Sequence, residues 1–510
     1  MPESTIILRS EPGIKRDGTK FDGNFYTDGQ WVRWQRGLPR KIGGYRAITK
    51  YLTEISRGFT NYTQMGFVYC HSGSSTTLER FTIDSTENCS IISDRTPTTL
   101  VNSDQNMWMF DYQYDSSSNA NYVLAHVAPN LGCICNDVGG QIFYGDLLGT
   151  TPLTEITLPP DANCTGGMVS LHPYLFYYGT DGIVGWSDAG NPTDLTGGGS
   201  GLARVWGQKI IKGMPLRAGS GSAPAGIFWA YDAVIRATFT GGATVFQFDT
   251  IATDTSILSP QCVIDYDGVF FWAGVDRFLM FNGVVREVPN SMNLNYFFDG
   301  LNKNAKSKVF AFKVPRYGEI WWCYPRGDAT ECTHAVVYNV RENTWYDTEL
   351  PNAGRSAGQF CNAFAAPILT GVVDSGSGYK TWIHEQLTDE IDGSNVSPIR
   401  SYFETADLSS VAQGKNEYMR ITAIEPDFVQ AGPMTVQVTG RANARAPEVY
   451  SSIFEFPETA SRDKPYEQIV MLKEQRRELR VRFESNAVNG DYQMGQIIGH
   501  ITTGDKTVLG

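Results

Sequence analysis

The sequence predicts an all-β protein. Its body reads as a β-propeller of six or seven blades with a roughly 50-residue period, followed by a C-terminal β-sandwich and preceded by an extended N-terminal arm. Three observations point there. Short aromatic-rich segments of strand length recur along the middle of the chain. Helical periodicity is weak throughout, while 52 glycines and 24 prolines cut the chain into turns. The last hundred residues alternate apolar and polar side chains with the period of a strand.

Residues 1–57 carry turn pairs every few positions, Asp17-Gly18, Asp22-Gly23, Asp28-Gly29 and Gly43-Gly44, and read as an arm with short strands. Residues 58–400 hold the repeat. Its segments centre on Phe67, Tyr122, Leu175, Phe228, Phe270, Ile320 and Leu369, at intervals of 55, 53, 53, 42, 50 and 49 residues. In GVFFWAGVDRFLMFNG the turn Gly274-Val275-Asp276 separates two such runs, as a hairpin requires. One blade cannot cover both of its faces, so neighbours must stack on it. Residues 401–510 form the sandwich: Leu479, Val481 and Phe483 point one way in ELRVRFE and Arg480, Arg482 and Glu484 the other, and Met434, Val436 and Val438 repeat the pattern.

Composition excludes several classes. Hydrophobic residues at 41% and charged residues at 19% supply a core and rule out a disordered or coiled-coil chain. No apolar run reaches the ~18 residues of a membrane helix, and mean hydropathy is −0.25. The opening residues read as no secretion signal, so the chain is expected to be made in the cytoplasm. The nine cysteines (70, 89, 133, 135, 164, 262, 323, 332 and 361) lack a close-spaced quartet and read as small buried hydrophobes.

The net charge of −12 is unevenly spread. Residues 1–50 hold ten Lys and Arg against five Asp and Glu. From Thr96 to Ala203 there is no lysine or arginine, yet ten acids stand there: Asp104, Asp111, Asp115, Asp137, Asp146, Glu155, Asp161, Asp181, Asp188 and Asp194. Gripping phosphate needs cations that displace counterions, so this stretch of the chain is expected to repel DNA.

Chemistry finds little foothold. The histidines His71, His126, His172, His334, His384 and His500 are scattered, and no Cys or carboxylate set has metal-ligand spacing. Neither a phosphate-binding P-loop nor a G-x-S-x-G nucleophile turn occurs. In GWSDAGNPTDLT, Ser187 adjoins Asp188 directly, which breaks the Ser/Thr-x-Asp-x-Gly box of sialidase-like propellers. The reading is a non-enzyme with no cofactor and no metal.

The segment that stands out is FDGNFYTDGQWVRWQRGLPRKIGGYRAI, residues 21–48. There Trp31, Trp34 and Tyr45 interleave with Arg33, Arg36, Arg40, Lys41 and Arg46, a mixture that anchors interfaces. It is the candidate subunit or adaptor interface; the alternative is a hairpin whose tryptophans cover the propeller.

The same stretch carries a resemblance. GIKRDGT (13–19) followed by DGQWVRWQRGLPRKIGGYR (28–46), then GWSDAGNPTDLT (185–196), GVFFWAGVDRFLMFNG (268–283), EIWWCYP with VVYNVRENTWYD (319–347), and the final zone together resemble the nozzle or tail-hub proteins of short-tailed bacteriophages, also called packaged-DNA stabilisation proteins. The resemblance implies a virion tail protein forming a homo-oligomeric ring, usually of six subunits. Such a ring joins the portal and adaptor rings, holds fibres or spikes, continues the channel through which double-stranded DNA passes, and has no catalytic residues. Six copies would carry −72, six times the −12 of one chain. The acidic stretch is then expected at the lumen or its mouth, and the glycine-rich loops 196–201 and 218–226 are candidate gates. The alternative is a propeller-type receptor-binding or fibre protein whose aromatics stack on host glycan.

Overall fold

In the computed structural model the repeat resolves into blades. The structure describes residues 4–20, 23–86, 88–129, 139–216, 223–242, 244–408, 418–443, 445–459, 462–464 and 466–503. Among these, seven antiparallel sheets follow one another: 58–94, 106–155, 167–204, 210–253, 264–287, 310–349, and a seventh built on 355–384. The first strands pack side by side as the inner wall. The strand Gly58–Gln64 touches both Asn106–Asp115 and Arg355–Cys361, so the last blade meets the first and the ring closes.

All seven aromatic anchors fall on the second strand of their blade. That strand has ladder partners on both sides and a neighbouring blade on each face, so its residues have no need to alternate. Tyr174–Tyr178 and Glu319–Tyr324 are buried at every position. Outer strands alternate or are exposed, as Val285–Glu287 is, and leave a weaker trace in the sequence.

The N-terminal residues differ from an extended arm. Tyr45–Leu52 is the fourth strand of the seventh blade, antiparallel to Tyr379–His384 with Ala47 opposite Trp382, and it clasps the ring shut; Glu390–Asp392 and Asn395–Ser397 extend the sheet beyond it. Residues before it belong to the C-terminal body. Ser4–Ile7 pairs with Ile498–Thr503, Asp28–Gln30 with Ser401–Glu404, and the hairpin Val32–Gln35/Leu38–Lys41 joins Asp491–Met494 and Phe428–Ala431. The reason is physical: a lone hairpin is marginal in water, and Leu8, Ile14, Tyr26 and Val32 at 0% exposure need partners.

The C-terminal sheets therefore take strands from both ends of the chain. Their core is continuous with the propeller's, because Phe310, Trp321, Tyr346 and Trp382 of blades six and seven share one apolar cluster with Phe403, Val436, Phe483 and Tyr492.

Candidate functional site

The tryptophan–arginine segment lies in the joint between the two bodies. Arg36 and Gly37 both have positive φ (55° and 73°), giving the two-residue hairpin turn that matches strand twist. Trp31 packs on Tyr45, Trp321 and His384 with ring centroids 5.8, 6.2 and 6.2 Å away, and its Nε1 donates to the Gly43 carbonyl at 3.1 Å. Trp34 lies 5.3 Å from Tyr26 and 5.2 Å from Tyr346.

Arg33 is 1% exposed. It donates from Nη2 to Glu319 at 3.2 Å and from Nη1 to Glu385 at 2.9 Å, with its guanidinium 3.7 Å over the Tyr317 ring. Burial alone would pull its pKa down, but the two carboxylates hold it above the ordinary value. Lys41 donates to the Gly490 carbonyl at 2.6 Å, and burial lowers its pKa to about 8 against the pull of Asp389 and Asp491. The Tyr45 hydroxyl donates to Glu390 at 2.9 Å.

Trp31, Arg33, Trp34, Lys41 and Tyr45 are thus interior, and the reading of this segment as an exposed interface is corrected to an internal one. The interleaving arises because both faces of these strands are covered. Arg36 stays exposed, Arg40 half-buried beside Gln35 (2.8 Å), and Arg46 half-buried, donating to the Thr86 carbonyl at 3.3 Å.

Arg36 and Arg40 belong to a corner that sequence order conceals. Arg40 and Arg316 sit 5.8 and 5.3 Å from the same Tyr317 ring that covers Arg33. Arg341 donates to the carbonyls of Arg316 (2.9 Å) and Pro315 (2.7 Å), tying two turns of blade six together. Glu342 accepts the backbone N–H groups of Arg36 and Gly37, pinning the hairpin tip to blade six. Arg9 and Arg36 line one cleft with Ile7, Leu38 and Met494. Among the described residues, Arg9, Arg36, Arg40, Arg316 and Arg341 form no ion pair. A run of arginines could flag only Arg36 and Arg40; the others come from remote turns.

The cation-free stretch 96–203 folds into blades two and three. Asp104, Asp146, Asp161 and Asp181 are exposed, Asp188 and Asp194 half-buried and Asp115 buried. Several hold turns: Asp115 accepts Ser117 N–H at 2.8 Å, Asp146 Leu148 N–H at 2.8 Å, Asp188 Gly199 N–H at 3.1 Å, and Asp194 Gly197 N–H at 2.8 Å. Asp111 stands apart on the inner strand, accepting Ser170 N–H at 2.8 Å, and burial raises its pKa. Asp181 meets Arg204 at 3.4 Å, just past the stretch. Asp137 and most of loop 218–226 lie outside the described residues, as do Cys133 and Cys135.

Inside the ring, a cavity of about 210 Å³ is lined by Phe59, Met109, Lys212, Gln261 and Gln359 among others. Gln261 bridges blades by donating to the Trp108 carbonyl at 3.0 Å. Burial lowers the Lys212 pKa to about 8, with Asp111 opposing. His71, His126 and His384 are buried and depressed by desolvation; His71 faces Arg95 and His384 accepts from Arg355 Nε, each at 3.1 Å. Among the described residues no group of three or more His, Cys, Asp or Glu side chains is placed to hold a metal, and seven cysteines are buried.

No protein-family model matches the chain, and no curated protein matches it. Solved structures similar to it are propellers. The WD40 β-propeller domain of Doa1 matches with TM-score 0.40 and 10% identity, covering 68% of this chain and 97% of that one. U3-55K gives 0.38 and 6%, covering 67% and 98%, and the RRP9 WD40 repeats give 0.39 and 5%, covering 68% and 99%. At such identities the likeness concerns the fold alone.

Proposed function

We propose that this chain is a passive wall subunit of a ring that extends the DNA channel of a short bacteriophage tail, retaining packaged DNA and letting it pass at ejection. The ring is homo-oligomeric, of six copies, and joins the portal and adaptor rings and the fibres or spikes. The observation that carries the reading is the location of the acidic stretch. It supplies −10 of the net −12 and forms two adjacent blades, two or three places round the ring from blades six and seven, where the C-terminal body attaches. One side of the subunit is therefore a joint and the other a surface poor in cations, where Arg204 at the end of blade three is paired with Asp181. A wall of that kind leaves a passing duplex unbraked, since each cation–phosphate contact adds salt-dependent adhesion.

The ordered motifs that resemble tail-hub proteins support the same reading. So does the burial of the aromatics: among the described residues only Phe67, Tyr114, Tyr450 and Tyr466 are strongly exposed, and they are scattered rather than gathered as a sugar-stacking face. Negative-stain microscopy of the purified protein tests the proposal. A closed ring with an axial hole that docks on the portal complex is expected. A lone subunit that fails to join the particle, or that turns over a substrate, overturns it.

A further inference from the structure

Resting on the ring reading, we propose that the arginine corner of blade six receives the acidic blades two and three of the next copy, head to tail. Arg9 and Arg36 line one cleft, Arg40 and Arg316 flank the Tyr317 ring, Arg341 donates to the Arg316 and Pro315 carbonyls, and the carboxylate of Glu342 is already occupied by the N–H groups of Arg36 and Gly37. Five cations without an ion pair are unexpected in a chain of net charge −12. They come from four separate turns or strand ends, so no local sequence bias produces them. Tyr317 holds the guanidiniums of Arg40 and Arg316 by cation–π contact, which lowers the entropy lost when a partner carboxylate engages them.

The partner follows from charge. The corner repels a second copy of itself, so a twofold contact is excluded and the contact must be heterologous. On the same chain the complementary surface is the stretch 96–203, which exposes Asp104, Asp146, Asp161 and Asp181. Asp146 is partly answered by Arg80 and Arg95 of blade one and Asp181 by Arg204 at 3.4 Å, leaving Asp104 and Asp161 as the main targets. Donor and acceptor surfaces lie across the wheel from each other, the arrangement from which head-to-tail contacts close into rings.

The test uses the full chain with Arg9→Glu, Arg36→Glu and Arg316→Glu together, since none of these side chains holds backbone. Folding is checked by thermal melting, with Arg→Lys at the same sites as control. Expected is an association constant at least about tenfold weaker by analytical ultracentrifugation at low salt, with the lysine control less affected. Assembly should return when the triple variant is mixed with chains carrying Asp104→Lys and Asp161→Lys. A cysteine pair at Arg316 and Asp161 should also cross-link between copies of otherwise wild-type protein. Rings that survive the reversal overturn this contact while leaving the ring reading intact. So do rings that persist but lose affinity for a short DNA duplex, since the corner would then face phosphate. A wild-type chain that stays single and gives no cross-link overturns both.

Discussion

Replacing Arg33 with methionine tests whether the joint is held by charge or by packing. Arg33 and Glu319 are 1% and 0% exposed, so neither is hydrated, and Glu385 is 13% exposed on its side chain. With the guanidinium gone, Glu319 keeps only the Trp321 Nε1 donor at 2.9 Å and the Tyr346 hydroxyl, and it faces Glu385 with no counter-charge between them. Stripping one partner from a buried pair costs about 3–5 kcal/mol, whereas neutralising all partners together is often close to neutral. Arg33→Met should therefore lose about 3–5 kcal/mol in urea unfolding followed by tryptophan fluorescence. The triple change Arg33→Met, Glu319→Gln and Glu385→Gln should regain most of it. If the triple variant is as unstable as the single one, contact with Tyr317 is what matters and the electrostatic account is wrong.

Three further outcomes follow from the fold. Ala47→Pro breaks the ladder of the clasp strand beside Trp382 and should cost about 3 kcal/mol or more, read as new proteolytic cleavage near residues 52–58. A Cβ on Gly166 would lie 1.9 Å from the Ile210 carbonyl oxygen, so Gly166→Ala should force blades three and four apart and lower the melting temperature, at a cost of about 1–3 kcal/mol. Lys212 has its pKa lowered to about 8 by burial, so between that value and about 10.4 the unfolded chain binds more protons and stability rises with pH. Lys212→Met should remove that slope and raise stability at pH 7 by up to about 3 kcal/mol; an unchanged pH profile would show the amine to be solvated.

The propeller was legible because its second strands are enclosed on every side, so GIFWAY or EIWWCY reads as strand without any alternation to decode. The seventh blade shows where that signal stops. Its fourth strand, Tyr45–Leu52, lies more than three hundred residues from its partner Tyr379–His384, and no local pattern records a pairing at that separation. The same holds for Trp31, Arg33 and Trp34. Alternating aromatic and basic residues usually marks one buried and one wet face, but a strand placed between two bodies has no wet face. Arg316 and Arg341 carry no sequence mark because each is an ordinary turn residue until the hairpin tip at Arg36 is laid beside them.

Turn chemistry accounts for part of the acidic stretch, since Asp115, Asp146, Asp188 and Asp194 each accept a backbone N–H that an Asn or Ser could also serve. It does not account for the missing cations. Some exposed positions of blades two and three are also tied to turns: Ser117 and Ser118 donate to Asp115 at 2.7 and 2.6 Å, and Asn119, at φ 54°, accepts from the Tyr114 hydroxyl. Others, such as Thr151 and Thr154, are simply exposed and uncharged. At positions such as Thr151 and Thr154 the proposed function supplies a reason for excluding a basic residue that turn chemistry does not. In the proposed ring, a neighbouring subunit's arginines and a passing phosphate backbone would impose the same requirement: either is better served by a face poor in cations, the first because it binds, the second because it slides by.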